Sequence, residues 1–173
     1  AGNLLQQIYN IVDTLIVGKY LGADALAAVG SAYTLMTFIT SIIIGLCMGS
    51  GAFFSADYGA ADEKKLREDA GLSFWFILGV SLVIYLIIYP GMPLILQLLQ
   101  TPEELMELMR EYVSVVFVGI IFLFLYNFFS YLLRAMGNSI IPLIFLAVAS
   151  VLNIVLDLGF VIGLKLGVSG AAA

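Results

Sequence analysis

Two aspartates stand where a carboxylate is costly. Asp13 sits among apolar neighbours in the run Ile8–Tyr20, and Asp157 sits late in a second apolar run, Ile140–Leu164. A charged side chain at bilayer depth costs about 2.5–3.5 kcal/mol on insertion scales, so where one is kept it marks an ion or substrate path. Each has a polar companion: Tyr9 stands four residues before Asp13, and Asn153 four before Asp157. On a helix that spacing puts both side chains on one face. Asn127, in the middle of another apolar run, adds a further amide. Two carboxylates, a phenol and amides make a cage for a proton or a small hard cation. Hard cations select oxygen ligands, and a carboxylate withdrawn from water titrates closer to neutrality. If the ion is Na+, its ligands are Asp13, Asp157 and Asn153. The competing reading is that each aspartate satisfies nearby backbone or hydroxyl groups while helices pack. Gln6, Gln7 and Asn10 on the first helix favour a wet cavity.

The elements that must position these groups are membrane helices. Of 173 residues, 62% are hydrophobic and only 11% charged, against about 45–50% and about 25% in soluble domains. Apolar runs of about 20 residues recur, each long enough for a ~30 Å hydrocarbon core. They are continuous rather than alternating in polarity, which argues for an all-α polytopic protein and against a barrel. The absence of histidine removes the usual transition-metal ligand, and seven basic residues with a net charge of −5 give nucleic acid no footing. The single cysteine, Cys47, lies inside an apolar run and reads as a small buried hydrophobe. No cofactor and no enzymatic activity are expected.

The apolar pattern predicts helices at about 1–18, 31–58, 70–96, 112–133 and 140–164. The first is short for a crossing and is expected to enter truncated. The second gathers small residues, and Gly45 and Gly49 fit a close-packing pattern. Gly59–Asp69 reads as a solvated charged loop in which Asp62 caps a short surface helix. Pro90 and Pro93 are expected to break or bend the end of the third span. Thr101-Pro102-Glu103-Glu104 reads as a helix start leading into the fourth. Lys64, Lys65 and Arg67 form the one basic cluster, which places that loop in the cytoplasm. The first and fifth helices then run outward together. Asp13 precedes Lys19 by six residues and Asp157 precedes Lys165 by eight, so both lie about 9–12 Å below their helix ends. The two carboxylates are expected to share a depth in the outer half of the bilayer.

The run Asn10–Gly30, with Asn-Ile-Val-Asp-Thr-Leu-Ile-Val-Gly-Lys-Tyr at its head, resembles the first helix of multidrug and toxic compound extrusion (MATE) transporters. Tyr58-Gly-Ala-Ala, Leu133-Arg-Ala-Met-Gly-Asn-Ser with Pro142, and Asn153-Ile-Val-Leu-Asp157 match that family in order, and Gly167-Val-Ser-Gly-Ala-Ala resembles the entry to a sixth helix. The resemblance covers essentially the whole chain. It implies part of the N-terminal lobe of a twelve-helix transporter: about five of that lobe's six helices, without the start of helix one, helix six and the C-terminal lobe. It further implies a multi-pass protein of the plasma membrane that exchanges small organic, often cationic, compounds for H+ or Na+. The family's cation-coupling residues carry over onto Tyr9, Asp13, Asn153 and Asp157, and onto Asn127. A lipid-linked oligosaccharide flippase of the same superfamily is the nearest alternative, but it needs basic residues in its cavity and the spans carry none. An intramembrane aspartyl protease also needs two membrane carboxylates, but its Tyr-Asp and Gly-x-Gly-Asp contexts are absent. A non-transporting helical membrane module is the third reading.

Overall fold

The computed structural model describes residues 11, 14–98 and 103–163. The end of a first helix, α1, occupies residues 14–20. It is followed by α2 (Ala23–Gly59), α3 (Glu63–Leu98), α4 (Glu103–Ala135) and α5 (Ile140–Asp157), and α5 passes directly into a π-helical segment, Leu158–Gly163. No strand occurs among the described residues. Four stretches within these helices are long and apolar enough to cross a membrane: Leu35–Gly59, Glu63–Ile95, Met109–Ala135 and Ile140–Val161. Most of the expected span at 1–18 lies outside the described residues, as do Thr101 and Pro102.

The helices overrun the apolar runs that predict them. α2 begins at Ala23 instead of about 31, whereas α4 begins at Glu103, within the helix start read at 101–104, and runs on into the apolar span expected from about 112. The charged segment expected as a loop forms the first turns of α3, from Glu63. Hydropathy marks only the stretch suited to hydrocarbon, whereas backbone hydrogen bonding continues into the wet turns beyond it. The 37 residues of α2 extend about 55 Å, well past a ~30 Å core. Asp62 does cap, accepting the Lys65 backbone N–H on Oδ1 at 3.0 Å. α3 runs on through Pro90 and Pro93 to Leu98. Proline interrupts one hydrogen bond, and in a membrane helix neighbouring groups satisfy the freed carbonyl.

Two helix ends close in the same way. Asn138 N–H bonds to Leu133 O at 2.9 Å and Gly137 N–H to Arg134 O at 3.0 Å, with Gly137 at φ +82°. At the end of α2, Asp62 N–H bonds to Asp57 O at 3.1 Å and Ala61 N–H to Tyr58 O at 3.1 Å. Both are Schellman motifs, which need a left-handed residue one place past the cap. The first supplies glycine; the second puts Ala61 there, at φ +56°.

The main core lies between α2, α3 and α4. α2 contributes Ile39, Ile43, Cys47 and Phe54, α3 contributes Ile77, and α4 contributes Val113, Phe117, Phe124 and Phe128. The three- and four-residue spacing keeps each set on one helix face. Lipid tails are as apolar as these side chains, so shape rather than burial from water must hold the helices together. Gly51 supplies such a fit: a Cβ there would meet the Tyr131 ring at 3.4 Å. Gly45 and Gly49, expected to be the close-packing pair, instead face open space. A second, smaller cluster joins Ile16 and Val17 of α1, Ala25 and Val29 of α2, and Val161 of the π segment. α5 is held mainly by α4.

Candidate functional site

Asn153 sits three turns into α5, partly buried, and its Oδ1 is buried without a hydrogen-bond donor among the described residues. Leaving a polar atom so placed costs about 1–3 kcal/mol, and an amide oxygen turned away from water is a ready ligand for a cation or an acidic proton. One turn later comes Asp157, the last α-helical residue, where the backbone widens into the π segment. Such segments are rare and often sit at functional sites. Tyr126 ties α5 in place by donating its hydroxyl to Pro142 O at 3.3 Å. Asn127, next to it on α4, is half-buried and donates Nδ2 to Leu123 O of its own helix at 2.9 Å.

Tyr9 and Asp13 lie outside the described residues, as does the Asp157 side chain. The surroundings of that pair are described. Ile16 and Val17, three and four residues beyond Asp13, share a buried cluster with Val161, four residues beyond Asp157. The end of α1 and the segment after α5 thus contribute to one buried cluster, together with Ala25 and Val29 of α2.

Two features escape sequence reading. Asp57 draws no role from its context, yet it is buried; Lys65 Nζ lies 2.9 Å from its Oδ1, and its Oδ2 has no donor among the described residues. The π segment likewise hides inside what looks like an ordinary apolar helix. Its only trace in the sequence is Gly159 and Gly163, two glycines within six residues.

Apolar helices of crossing length, packed around a core that also buries Asp57, Ser81, Ser130 and Ser150, define a multi-pass α-helical membrane protein. The chain matches the sequence profile of the MatE family over residues 1–158, and it belongs to that family. It is 37% identical over 171 residues to the probable multidrug resistance protein YpnP of Bacillus subtilis, a match covering 99% of this chain and 38% of YpnP. Its fold matches a solved outward-facing multidrug resistance MATE family transporter with a TM-score of 0.92 at 29% identity, covering 99% of this chain and 38% of that one. The match to an inward-facing structure of such a transporter has a TM-score of 0.90 at 29% identity, covering 96% and 38%. The chain thus spans about 38% of the length of the relatives it matches.

Proposed function

We propose that the protein acts as a cation-coupled antiporter of the plasma membrane, exporting organic, cationic compounds in exchange for H+ or Na+. Asp13, Asp157, Asn153, Tyr9 and Asn127 are its coupling residues. The observation that carries this reading is the buried cluster that brings Ile16 and Val17 together with Val161. It supports a single pocket for two carboxylates that are remote in sequence. The Asn153 Oδ1, without a donor among the described residues, supports a ligand-seeking group on the same helix face as Asp157.

In this reading, H+ or Na+ neutralises the two carboxylates. The hydrated pocket then loses its reason to stay open, and α1 shifts to expel the exported compound. An ion drives such a change only through its differential affinity for the two states. One pH unit supplies about 1.4 kcal/mol and 100 mV about 2.3 kcal/mol per charge, enough for modest uphill export. The described fold matches relatives in outward- and inward-facing states almost equally. That supports a lobe that keeps its internal packing while it moves against a second lobe. The experiment is efflux from vesicles with pH and Na+ gradients imposed separately. Asp13→Asn and Asp157→Asn should each abolish gradient-driven efflux; undiminished efflux in both would overturn the reading.

A further inference from the structure

Where α2 ends, α3 begins and α4 ends, a groove of about 350 Å3 opens between the three helices. Leu66, Leu132 and Met136 line its apolar part, and Glu63, Arg67 and Tyr58 contribute polar groups. Its position is a membrane boundary: Gly59 closes one apolar span, Glu63 opens the next, and Ala135 closes a third. The local charges are already sorted. Lys65 pairs with Asp57 at 2.9 Å, and Lys64 with Glu68 at 3.9 Å. Among the described residues, Arg67 and Glu63 have no ion-pair partner, although both line the groove. They stand four apart on α3, so an opposite pair of charges is offered along one helix face.

We propose that this groove holds the headgroup of a membrane phospholipid bearing a primary ammonium, its phosphate on Arg67 and its ammonium on Glu63. The match is one of charge and depth. A guanidinium takes phosphate oxygens through paired N–H donors. Glu63 accepts N–H bonds from a primary ammonium, whereas a choline headgroup has no N–H to give. An anionic glycerol headgroup would meet Glu63 and nearby Asp62 without compensation. Tyr58 is 53% exposed and lines the groove, at the boundary that tyrosines favour. Leu132 and Met136 receive the first methylenes of the acyl chains.

The test is native mass spectrometry of the protein released from nanodiscs of equal phosphatidylethanolamine, phosphatidylcholine and phosphatidylglycerol. The unaltered protein should retain phosphatidylethanolamine in preference to the other two. Glu63→Gln should lower the ethanolamine-to-choline ratio by about fivefold, the change one ion pair of surface strength produces. Arg67→Gln should reduce retention of both lipids, and Lys64→Gln, outside the groove, should alter neither. Retention that follows the nanodisc composition, or a ratio unmoved by Glu63→Gln, overturns the proposal. So does a Lys64→Gln effect equal to that of Arg67→Gln, since binding would then follow bulk charge.

Discussion

At Asn153 a polar atom is buried without a donor among the described residues, and that fixes what its removal should do. Leucine is close in size and has nothing to satisfy. Asn153→Leu should leave the melting temperature of the ion-free protein unchanged or raised, because the cost of the unpaired oxygen, about 1–3 kcal/mol, disappears. The same change should erase any stabilisation by Na+ or low pH, since ion binding raises stability only while the ligand group is present. Melting curves with and without Na+, across pH, read both effects. If Na+ protects the variant as well as the parent, Asn153 is no ligand. A similar asymmetry holds at Asp57, which is buried while its partner Lys65 is largely exposed. Lys65→Gln strands a carboxylate away from water, whereas Asp57→Asn removes the buried charge and leaves Lys65 to the solvent. Thermal unfolding should therefore show Lys65→Gln as the more destabilising of the two. The sequence announces Asn153 and Asp157 because polar residues inside an apolar run are conspicuous and their spacing is helical. It conceals Asp57, whose importance comes from a lysine beyond a turn, and neither apolar pattern nor charge count reveals which acid in a charged stretch is buried.

Among the elements, the turn between α2 and α3 departs furthest from its best sequence. Its Schellman closure requires a left-handed residue, and Ala61 takes that conformation at φ +56°, where a side chain costs about 1–2 kcal/mol. Gly137 meets the same requirement at the end of α4 without that cost. Ala61→Gly should therefore stabilise the protein by about 1 kcal/mol, after allowing for the extra freedom glycine gives the unfolded chain. Chemical unfolding in detergent measures it; a loss of stability would mean that the turn owes its shape to something other than the backbone preference. The same turn shows where reading elements from sequence fails. Charges at 63–69 suggest a loop because they cannot enter hydrocarbon, yet Asp62 caps the helix there and Glu63 lies in its first turn. Polarity reports solvent; capping residues report helix. In that stretch the two disagree, and the cap decides. The π segment after Asp157 is harder still, since one extra residue in a turn leaves an all-apolar stretch looking unchanged.

Across the whole molecule, one exposed stripe of α2 is unlike a lipid-facing surface, although the neighbouring stripe carries Phe38, Ile42 and Phe53. Tyr33, Thr37, Ser41, Gly45, Met48 and Ala52 follow one another at helical spacing, all exposed. Ser41 turns its hydroxyl back to Thr37 O at 2.7 Å, so even its polar atom is occupied by its own helix. By contrast, α5 exposes Ile144, Phe145, Val148, Val151, Leu152 and Val155, which suits hydrocarbon. Between Tyr33 and Met48 the stripe is small and weakly polar, which suits close approach by another helix. In the proposed antiporter it is the face that the second lobe meets as the cavity closes. Gly45 lies in it and Gly49 at its edge, one turn further toward Phe53, both with nothing within 4 Å of an added Cβ. Gly49→Leu should therefore leave the lobe's own packing and melting temperature nearly unchanged, and even gain slightly from better helix propensity, about 1 kcal/mol at most. It should nonetheless slow efflux several-fold, because the added bulk lies between two surfaces that must touch once per cycle. Gly51→Leu supplies the contrast: its Cβ already meets Tyr131 at 3.4 Å inside the lobe, so it should destabilise the fold itself. Vesicle efflux and thermal unfolding on the two variants separate a face used between lobes from one used within. If Gly49→Leu transports at the parental rate, α2 faces lipid along that stripe and the second lobe must dock elsewhere.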